Sequence, residues 1–226
     1  GSGAGVINVA NNSATGTKIT TGYTGTAMQT VSITDVAADT SLTIARTGTT
    51  IAPTMVILDG TTATTDKISL SAKGIITLET ASADQVNQLD LSGNGADVNY
   101  KLNAIGDQPT TVTFTGDQSV TLAMSETQAA GLTTMTDSTT AGITTTKIGA
   151  VTASRDLKAI TSDVIDVSGA ITAASVITVK DGSTVNLSTV AQANAFEVDV
   201  DDGATTNTTA GSLTLNVSQD LTTVNV

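Results

Sequence analysis

Hydrophobic and polar residues alternate in short runs along this chain, and Gly, Asn, Asp or Ser separates one run from the next. Alternation with a period of two predicts β-strands that have one buried face and one exposed face. The clearest predicted strands are 29–34, 41–45, 55–58, 68–72, 75–79, 88–91, 98–102, 111–115, 119–124, 164–168, 176–180, 185–187, 196–200 and 212–217. They recur about every 8–14 residues, a spacing typical of sandwiches, barrels and β-solenoids.

Helical patterns are few and short. Residues 125–128 read S-E-T-Q, a capping box that predicts a helix start before Ala129. Gly131 is expected to end that helix after about one turn. A second short helix is predicted at 189–195. Both are connectors, so the pattern as a whole predicts an all-β fold.

The stretch 133–146 is rich in Thr, Ser and Gly and has no sustained alternation. It is interpreted as a linker or a loop between an N-terminal β region (1–132) and a C-terminal β region (147–226). The opening G-S-G is typical of a cloning remnant, and 221–226 resembles a strand that stops within a sheet. We therefore expect a fragment of a longer protein.

A weak internal repeat links 151–160 (V-T-A-S-R-D-L-K-A-I) to 215–224 (L-N-V-S-Q-D-L-T-T-V), with a looser copy at 82–89. The shared Ser-x-Asp predicts a corner between strands, where these side chains bond nearby backbone N–H groups. Stacked coils would align such corners, as repeat proteins do.

Composition narrows the choice of β fold. Threonine fills about one position in five, and its branched Cβ suits half-exposed strands. Aromatic residues make up only 2% of the chain, so small aliphatic side chains must form the core. Thin layers of Val, Ile and Leu favour a β-solenoid-like stack of short strands, with tandem β-sandwiches as the alternative.

Charge and missing residue types exclude several functions. The net charge of −12 argues against binding nucleic acid or anionic membranes. No apolar run approaches the ~18 residues of a membrane span, so no membrane insertion is expected. His, Cys and Trp are absent, which removes most side chains used for catalysis near neutral pH. We expect a structural protein and not an enzyme.

The acids are mainly Asp, which leaves two interpretations open: an acidic surface that aids solubility, or Asp side chains that bind Ca²⁺ outside the cell. Calcium is the candidate ligand, since a secreted protein without disulfides can be stabilised by metal ions. Segment 89–98 (L-D-L-S-G-N-G-A-D-V) resembles the nonapeptide of calcium-binding repeat-in-toxin proteins at Gly93, Gly95 and Asp97. Ser92 and Asn99 depart from that motif. A plain hairpin turn is the favoured alternative for this segment.

The best single calcium candidate is E-V-D-V-D-D-G at 197–203. The period of two places Glu197, Asp199 and Asp201 on one strand face, followed by a turn at Asp202. Three carboxylates on one face repel each other unless solvent or a cation intervenes.

A weaker calcium candidate combines Asp163 and Asp166 with the Asp181-Gly182 turn. Extracellular calcium modules bind at roughly 10⁻⁴–10⁻³ M, so partial cages would be sufficient.

The phrases D-L-K-A-I-T (156–161), D-L-T-T-V-N (220–225) and L-D-L-S-G (89–93) resemble those of large Gram-negative S-layer proteins that carry repeat-in-toxin elements. The resemblance implies an extracellular coat protein, exported by a type I system, that assembles with copies of itself in the presence of Ca²⁺. It also implies that contact with cell-surface polysaccharide is made through regions outside this fragment. Two alternatives remain open, an adhesin stalk or passenger domain and the outer region of a flagellin.

Overall fold

The computed structural model describes residues 6–9, 18–23, 29–36, 40–46, 54–60, 66–80, 86–103, 109–171, 174–187, 196–201, 213–217 and 224–225. These residues form strands and one helix, α1 (Glu126–Gly131). The strands are β1 (Val6–Val9), β2 (Lys18–Tyr23), β3 (Gln29–Val36), β4 (Thr40–Arg46), β5 (Thr54–Gly60), β6 (Lys67–Thr80), β7 (Gln88–Leu102), β8 (Thr111–Gly116), β9 (Val120–Met124), β10 (Thr134–Thr139), β11 (Thr144–Ile148), β12 (Arg155–Asp156), β13 (Val164–Val167), β14 (Ser175–Lys180), β15 (Thr184–Leu187), β16 (Phe196–Asp201), β17 (Thr214–Val217) and β18 (Val224–Asn225).

The fold is nearly all β, and its parallel sheets stack as a β-solenoid of about 6 turns. The predicted solenoid is therefore confirmed. Tandem sandwiches would be built from antiparallel sheets, whereas each strand pair described here is parallel. Small aliphatic side chains favour a solenoid, because each coil encloses only a thin core.

The chain divides into two compact units, which are described separately. Unit 1 comprises Gly1–Leu122 and Ser138–Ile143, and unit 2 comprises Ala123–Asp137 and Thr144–Val226. The stretch 133–146, interpreted from sequence as a linker or loop, contains β10 and the start of β11. The three-part division of the sequence stays a prediction.

In unit 1, the long strands β6 and β7 each pair with three strands: β6 with β4, β5 and β7, and β7 with β6, β8 and β9. The first part of β6 pairs with β4 and its last part pairs with β5. The register between β6 and β7 shifts at Gly74, which has φ 89°. Gly95 bends β7 with φ 67°. Positive φ favours glycine at these two corners, since a Cβ would strain the backbone there.

The core of unit 1 is a stack of inward side chains in register. Leu42 pairs with Leu70, Leu70 with Leu91, and Leu91 with Phe114, and each is at most 1% exposed. Tyr100 joins this core, and its hydroxyl lies 3.1 Å from the Leu70 carbonyl and 2.9 Å from that of Ser92. Burial raises the pKa of Tyr100 far above its usual range.

The outward positions of the same strands carry hydroxyl groups. We call the following in-register set the hydroxyl row: Thr20, Thr43, Ser71, Ser92 and Thr115. Neighbouring strands are about 4.8 Å apart, so these hydroxyl side chains repeat at that interval along the stack.

In unit 2, consecutive strands alternate between two sheets. One sheet contains β11, β13, β15 and β17 in that order, and the other contains β12, β14, β16 and β18. Inward aliphatic residues again pair in register, as Val167 does with Leu187 and Ile177 with Val198. The buried side of each sheet therefore repeats the aliphatic pattern of unit 1.

The capping box that opens α1 is confirmed. The Ser125 hydroxyl accepts the Gln128 N–H at 3.2 Å, and the Gln128 side-chain oxygen accepts the Ser125 N–H at 2.8 Å. The helix predicted at 189–195 lies outside the described residues. Within the described ranges, no helix has the length and apolar character needed to cross a bilayer.

The predicted Ser-x-Asp corner is present at 154–156. The Ser154 hydroxyl accepts the Val176 N–H at 2.9 Å, and the Asp156 carboxylate accepts the Lys158 N–H at 3.0 Å. The second copy of the repeat falls mostly on residues that are not described.

Candidate functional site

The predicted acidic strand face lies on β16 of unit 2. Val198 is fully buried, whereas Glu197 and Asp199 are exposed and Asp201 is half-buried. The alternation of a strand thus turns the three carboxylates outward together, as the period-two pattern predicts.

Adjacent strands bring further charged groups to this surface. Asp156 on β12 pairs with Thr178 on β14, and Thr178 pairs with Asp199. Lys180 pairs with Asp201 at the other end of the strands. We call the outward carboxylates Asp156, Glu197, Asp199 and Asp201 the acidic face.

A lysine neutralises one corner of the acidic face. Lys158 Nζ lies 2.7 Å from an Asp201 oxygen and 3.3 Å from an Asp156 oxygen. Hydrogen bonds to Asp201, and then to Asp156, raise the pKa of Lys158. Lys158 therefore bridges a carboxylate of β12 and a carboxylate of β16.

The other end of β16 carries carboxylates without such a partner. Within the described residues, no ion pair reaches Glu197 or Asp199. Like charges on adjacent outward positions repel, and this repulsion favours a cation from solution. Glu197 and Asp199 are therefore the two exposed carboxylates of the acidic face that have no ion pair among the described residues.

Asp181 and Asp202 were predicted as further ligands. The Asp181 N–H donates to the Asp201 carbonyl at 3.2 Å, which places the exposed Asp181 turn beside the carboxyl end of β16. Asp202 lies outside the described residues.

Asp163 and Asp166 were grouped with Asp181, but they belong to the opposite sheet, at and within β13. The Asp163 carboxylate accepts the Thr144 N–H at 2.9 Å, and its own N–H donates to the Thr144 hydroxyl at 2.9 Å. Asp166 faces Lys147 on β11 at 3.9 Å. Asp163 thus links the residue before β13 to the start of β11, and Asp166 is part of a cross-strand charge pair.

The favoured hairpin turn at 89–98 is wrong. β7 runs through this segment and pairs in parallel with β6 on both sides of the bend. Asp97 is exposed, and its carboxylate accepts the Ser119 N–H at 3.0 Å. A Cβ on Gly93 would approach the Ala96 carbonyl oxygen to 2.3 Å, so the backbone at this bend is closely packed.

Across the described ranges, no group of three or more Asp, Glu, His or Cys side chains is arranged to hold a metal ion. The calcium site stays a prediction. The acidic face presents a row of carboxylates along a sheet surface.

Sequence reasoning missed Asp156 and Lys158 as members of this surface. Both lie in the phrase D-L-K at 156–158, which was noted only as part of a repeat. Lys158 and Asp201 are 43 positions apart in the chain, so no local pattern connects them.

No family model, curated protein or solved structure matches this chain.

Proposed function

We propose that this chain is a structural part of an extracellular surface coat of the S-layer kind, and that it associates with copies of itself with the help of Ca²⁺. The observation that carries the proposal is the in-register arrangement of outward side chains on parallel sheets. A solenoid repeats each outward position at about 4.8 Å, so its surface offers many equivalent contacts to a second copy. No catalytic step forms part of this proposal.

Calcium would act at the acidic face. Glu197 and Asp199 offer carboxylate oxygens, the donors that Ca²⁺ prefers, and they have no ion pair within the described residues. With a chain charge of −12, two copies repel each other at close range. A cation shared between two acidic faces would reduce that repulsion, and carboxylates of both copies would be its ligands.

The remaining parts of the proposal follow from the resemblance to S-layer proteins and from composition. The chain would be exported by a type I system and would act outside the cell. Contact with cell-surface polysaccharide belongs to the same proposal. Its partners would not include nucleic acid, since an excess of 21 acids over 9 bases disfavours contact with phosphates.

Light scattering of the purified chain in EDTA and in millimolar Ca²⁺ tests the proposal. We expect a monomer in EDTA and growing particles with Ca²⁺, with a much weaker response to Mg²⁺. The double variant E197Q/D199N should lose the calcium response. D117N/D90N removes two charges from unit 1 and should keep it. A wild-type chain that stays monomeric at every Ca²⁺ concentration would contradict the proposal.

An adhesin stalk is the second candidate, and the hydroxyl row of unit 1 favours it. Evenly spaced hydroxyl groups can donate and accept hydrogen bonds along an extended glycan. An adhesin would remain monomeric in Ca²⁺ and would bind a glycan array, and T43V/S71A would weaken that binding. A lattice subunit would show the reverse pattern.

A further inference from the structure

Two strands in different units each have an open edge. β1, in unit 1, pairs with β3, and among the described strands it has no partner on its other side. β17, in unit 2, pairs with β15 alone among the described strands. Natural proteins protect such edges with charged residues or proline, and the sequences of β1 and β17 contain neither. Both edges therefore suit pairing with a further strand.

The aliphatic columns behind these two edges are partly uncovered. Ile165, Val185 and Leu215 follow one another in register on β13, β15 and β17. Ile165 and Val185 are at most 1% exposed, whereas Leu215 is half-buried. At the other edge Val9 of β1 is half-buried, although its register partner Ile33 is fully buried. A further strand on either edge would bury aliphatic surface, which favours association.

A row of amide side chains in unit 2 sets the register that an added strand needs. Asp166, Asn186 and Asn216 occupy this row on successive strands. The Asn216 amide nitrogen donates to the Asn186 amide oxygen at 2.7 Å. Stacked asparagine amides stabilise strands that pair in register, and each added amide extends the row. A strand on the β17 edge would therefore be selected for asparagine at this position.

β1 has the sequence that would extend this row. It reads V-I-N-V, whereas β15 reads T-V-N-L and β17 reads T-L-N-V, so all three carry asparagine in third place between aliphatic residues. Within unit 1 the position of Asn8 is continued by Ser32 on β3 and Ile57 on β5, so its own neighbours form no such row. The β1 pattern thus matches the strands of unit 2 better than those of unit 1.

Charges near the two edges are complementary. Residues 10–17 connect β1 to β2 and residues 188–195 connect β15 to β16, eight residues in each case. A coil that begins with β1 can therefore place β2 beside β18, whose Asn225 pairs with Glu197. Lys18 of β2 and Glu197 are both exposed, and within the described residues neither forms an ion pair. Their opposite charges favour this arrangement.

We propose that β17 of one copy pairs in parallel with β1 of a second copy, in the register that puts Asn8 beside Asn216. A second copy is the partner because this chain itself contains the matching strand with an open edge. The two edges differ, so a joined pair keeps one edge of each kind and can add further copies into a chain. This contact goes beyond the proposed function, since it uses strand edges and needs no cation.

Covalent capture tests the pairing, because the chain contains no Cys. N8C and N216C chains are mixed in EDTA with oxidised glutathione as the oxidant, and the products are separated on a non-reducing gel. Paired positions on adjacent strands are about 4.8 Å apart, within the Cα separation that a disulfide spans. We expect the mixture to form a covalent dimer that neither variant forms alone. Capture accumulates short-lived pairs, so it applies where light scattering still records a monomer.

T214C is the matched control for register. Thr214 and Asn216 are both exposed on the same face of β17. They are two positions apart, so a thiol at 214 would lie about 7–8 Å from position 8 of the second copy, beyond the reach of a disulfide. N8C mixed with T214C should therefore remain monomeric on the same gel.

A backbone variant tests the strand edge itself. The Thr214 N–H donates to the Ser183 carbonyl at 3.1 Å, toward β15. Backbone groups of successive strand residues point to opposite sides, so the Leu215 N–H points toward the open edge. L215P removes this donor, and edge positions tolerate proline. In the N216C chain, L215P should abolish capture by N8C, whereas L215A shortens the side chain but keeps the donor and should preserve capture.

Three outcomes would overturn the inference. The first is that N8C and N216C chains with a wild-type far-UV spectrum give no covalent dimer, as expected if a strand of another protein is the true occupant of β17. The second is equal capture of T214C, and the third is a folded L215P chain captured as well as L215A. If L215P unfolds, T214C carries the test. Every assay is in EDTA, so a wild type that ignores Ca²⁺ would contradict the proposed function alone.

Discussion

Units 1 and 2 bury the same kind of side chain but expose different chemistry. Inward columns in both are aliphatic, as Leu42, Leu70 and Leu91 are in unit 1 and Ile177 and Val198 are in unit 2. The outward hydroxyl row of unit 1 is uncharged, whereas the acidic face of unit 2 carries four carboxylates and a lysine between two of them.

This difference separates the requirements of folding from those of recognition. The inward columns are constrained, because each side chain must fill the interior of its coil and pack against the same position in the neighbouring coils. The outward positions have no such constraint and are free to carry a hydroxyl, an acid or a base. Any function that distinguishes the two units must therefore lie in the outward rows.

The largest expected effect tests whether the two cores are separable. F114A in unit 1 should lower the free energy of unfolding by about 3–5 kcal/mol, and I177A in unit 2 by about 2–5 kcal/mol. Both tyrosines of the chain, Tyr23 and Tyr100, lie in unit 1, so tyrosine fluorescence reports that unit. We expect F114A to shift the fluorescence-detected transition and I177A to shift only the far-UV signal. Equal shifts in both signals would show that the units unfold together.

A smaller effect concerns Glu126, the buried carboxylate at the start of α1 in unit 2. Burial opposes its charge, but bonds from Thr152 and Arg155 outweigh burial and lower the pKa of Glu126. A lowered pKa in the folded state gives stability that is present above the ordinary Glu value of ~4.3 and lost as pH falls through the lowered value.

We therefore expect E126Q to cost about 1.5–3 kcal/mol near pH 7 and progressively less below about pH 4, measured by urea unfolding. The exposed control E197Q should stay within about 0.5 kcal/mol of wild type at pH 7. A cost for E126Q that does not change with pH would show that the carboxylate charge is not what stabilises α1.

The smallest effect sharpens the contrast between the outward surfaces. K158M should free Asp156 and Asp201 and raise Ca²⁺ affinity by about fivefold, because a positive charge that repels the cation is removed. K101M removes an exposed lysine from unit 1 and should leave the affinity unchanged. Isothermal titration calorimetry of the three proteins is the measurement. An unchanged affinity in K158M would place calcium binding away from the acidic face.

Some of the candidate surface could be predicted and some could not. The period of two placed Glu197, Asp199 and Asp201 on one face, because strand geometry is a local property. Lys158 could not be placed there, since it reaches Asp201 only when β12, β14 and β16 stack side by side in one sheet. Asp163 was grouped with Asp181 by sequence proximity, yet β13 and β14 belong to different sheets.

The bend in β7 shows the same limit. Gly93 and Gly95 signalled a turn, and a hairpin was the natural expectation for two glycines between strands. The chain instead bends at Gly95 and stays parallel to β6, which pairs with β7 on both sides of the bend. The two glycines located the bend, and pairing with β6 decided that it is a bend within a parallel strand and not a hairpin turn.

The sequence by itself determined an all-β fold, since alternation fixes which side chains turn inward, and a core nearly without rings favoured a solenoid over tandem β-sandwiches. The parallel pairing of distant strands decided between the two. The sequence also determined the capping box of α1, which depends on four consecutive residues. Only the tertiary structure decided which outward charges become neighbours and where α1 packs. Those contacts join residues tens of positions apart, and the coil lengths that bring them together are not encoded in any short pattern.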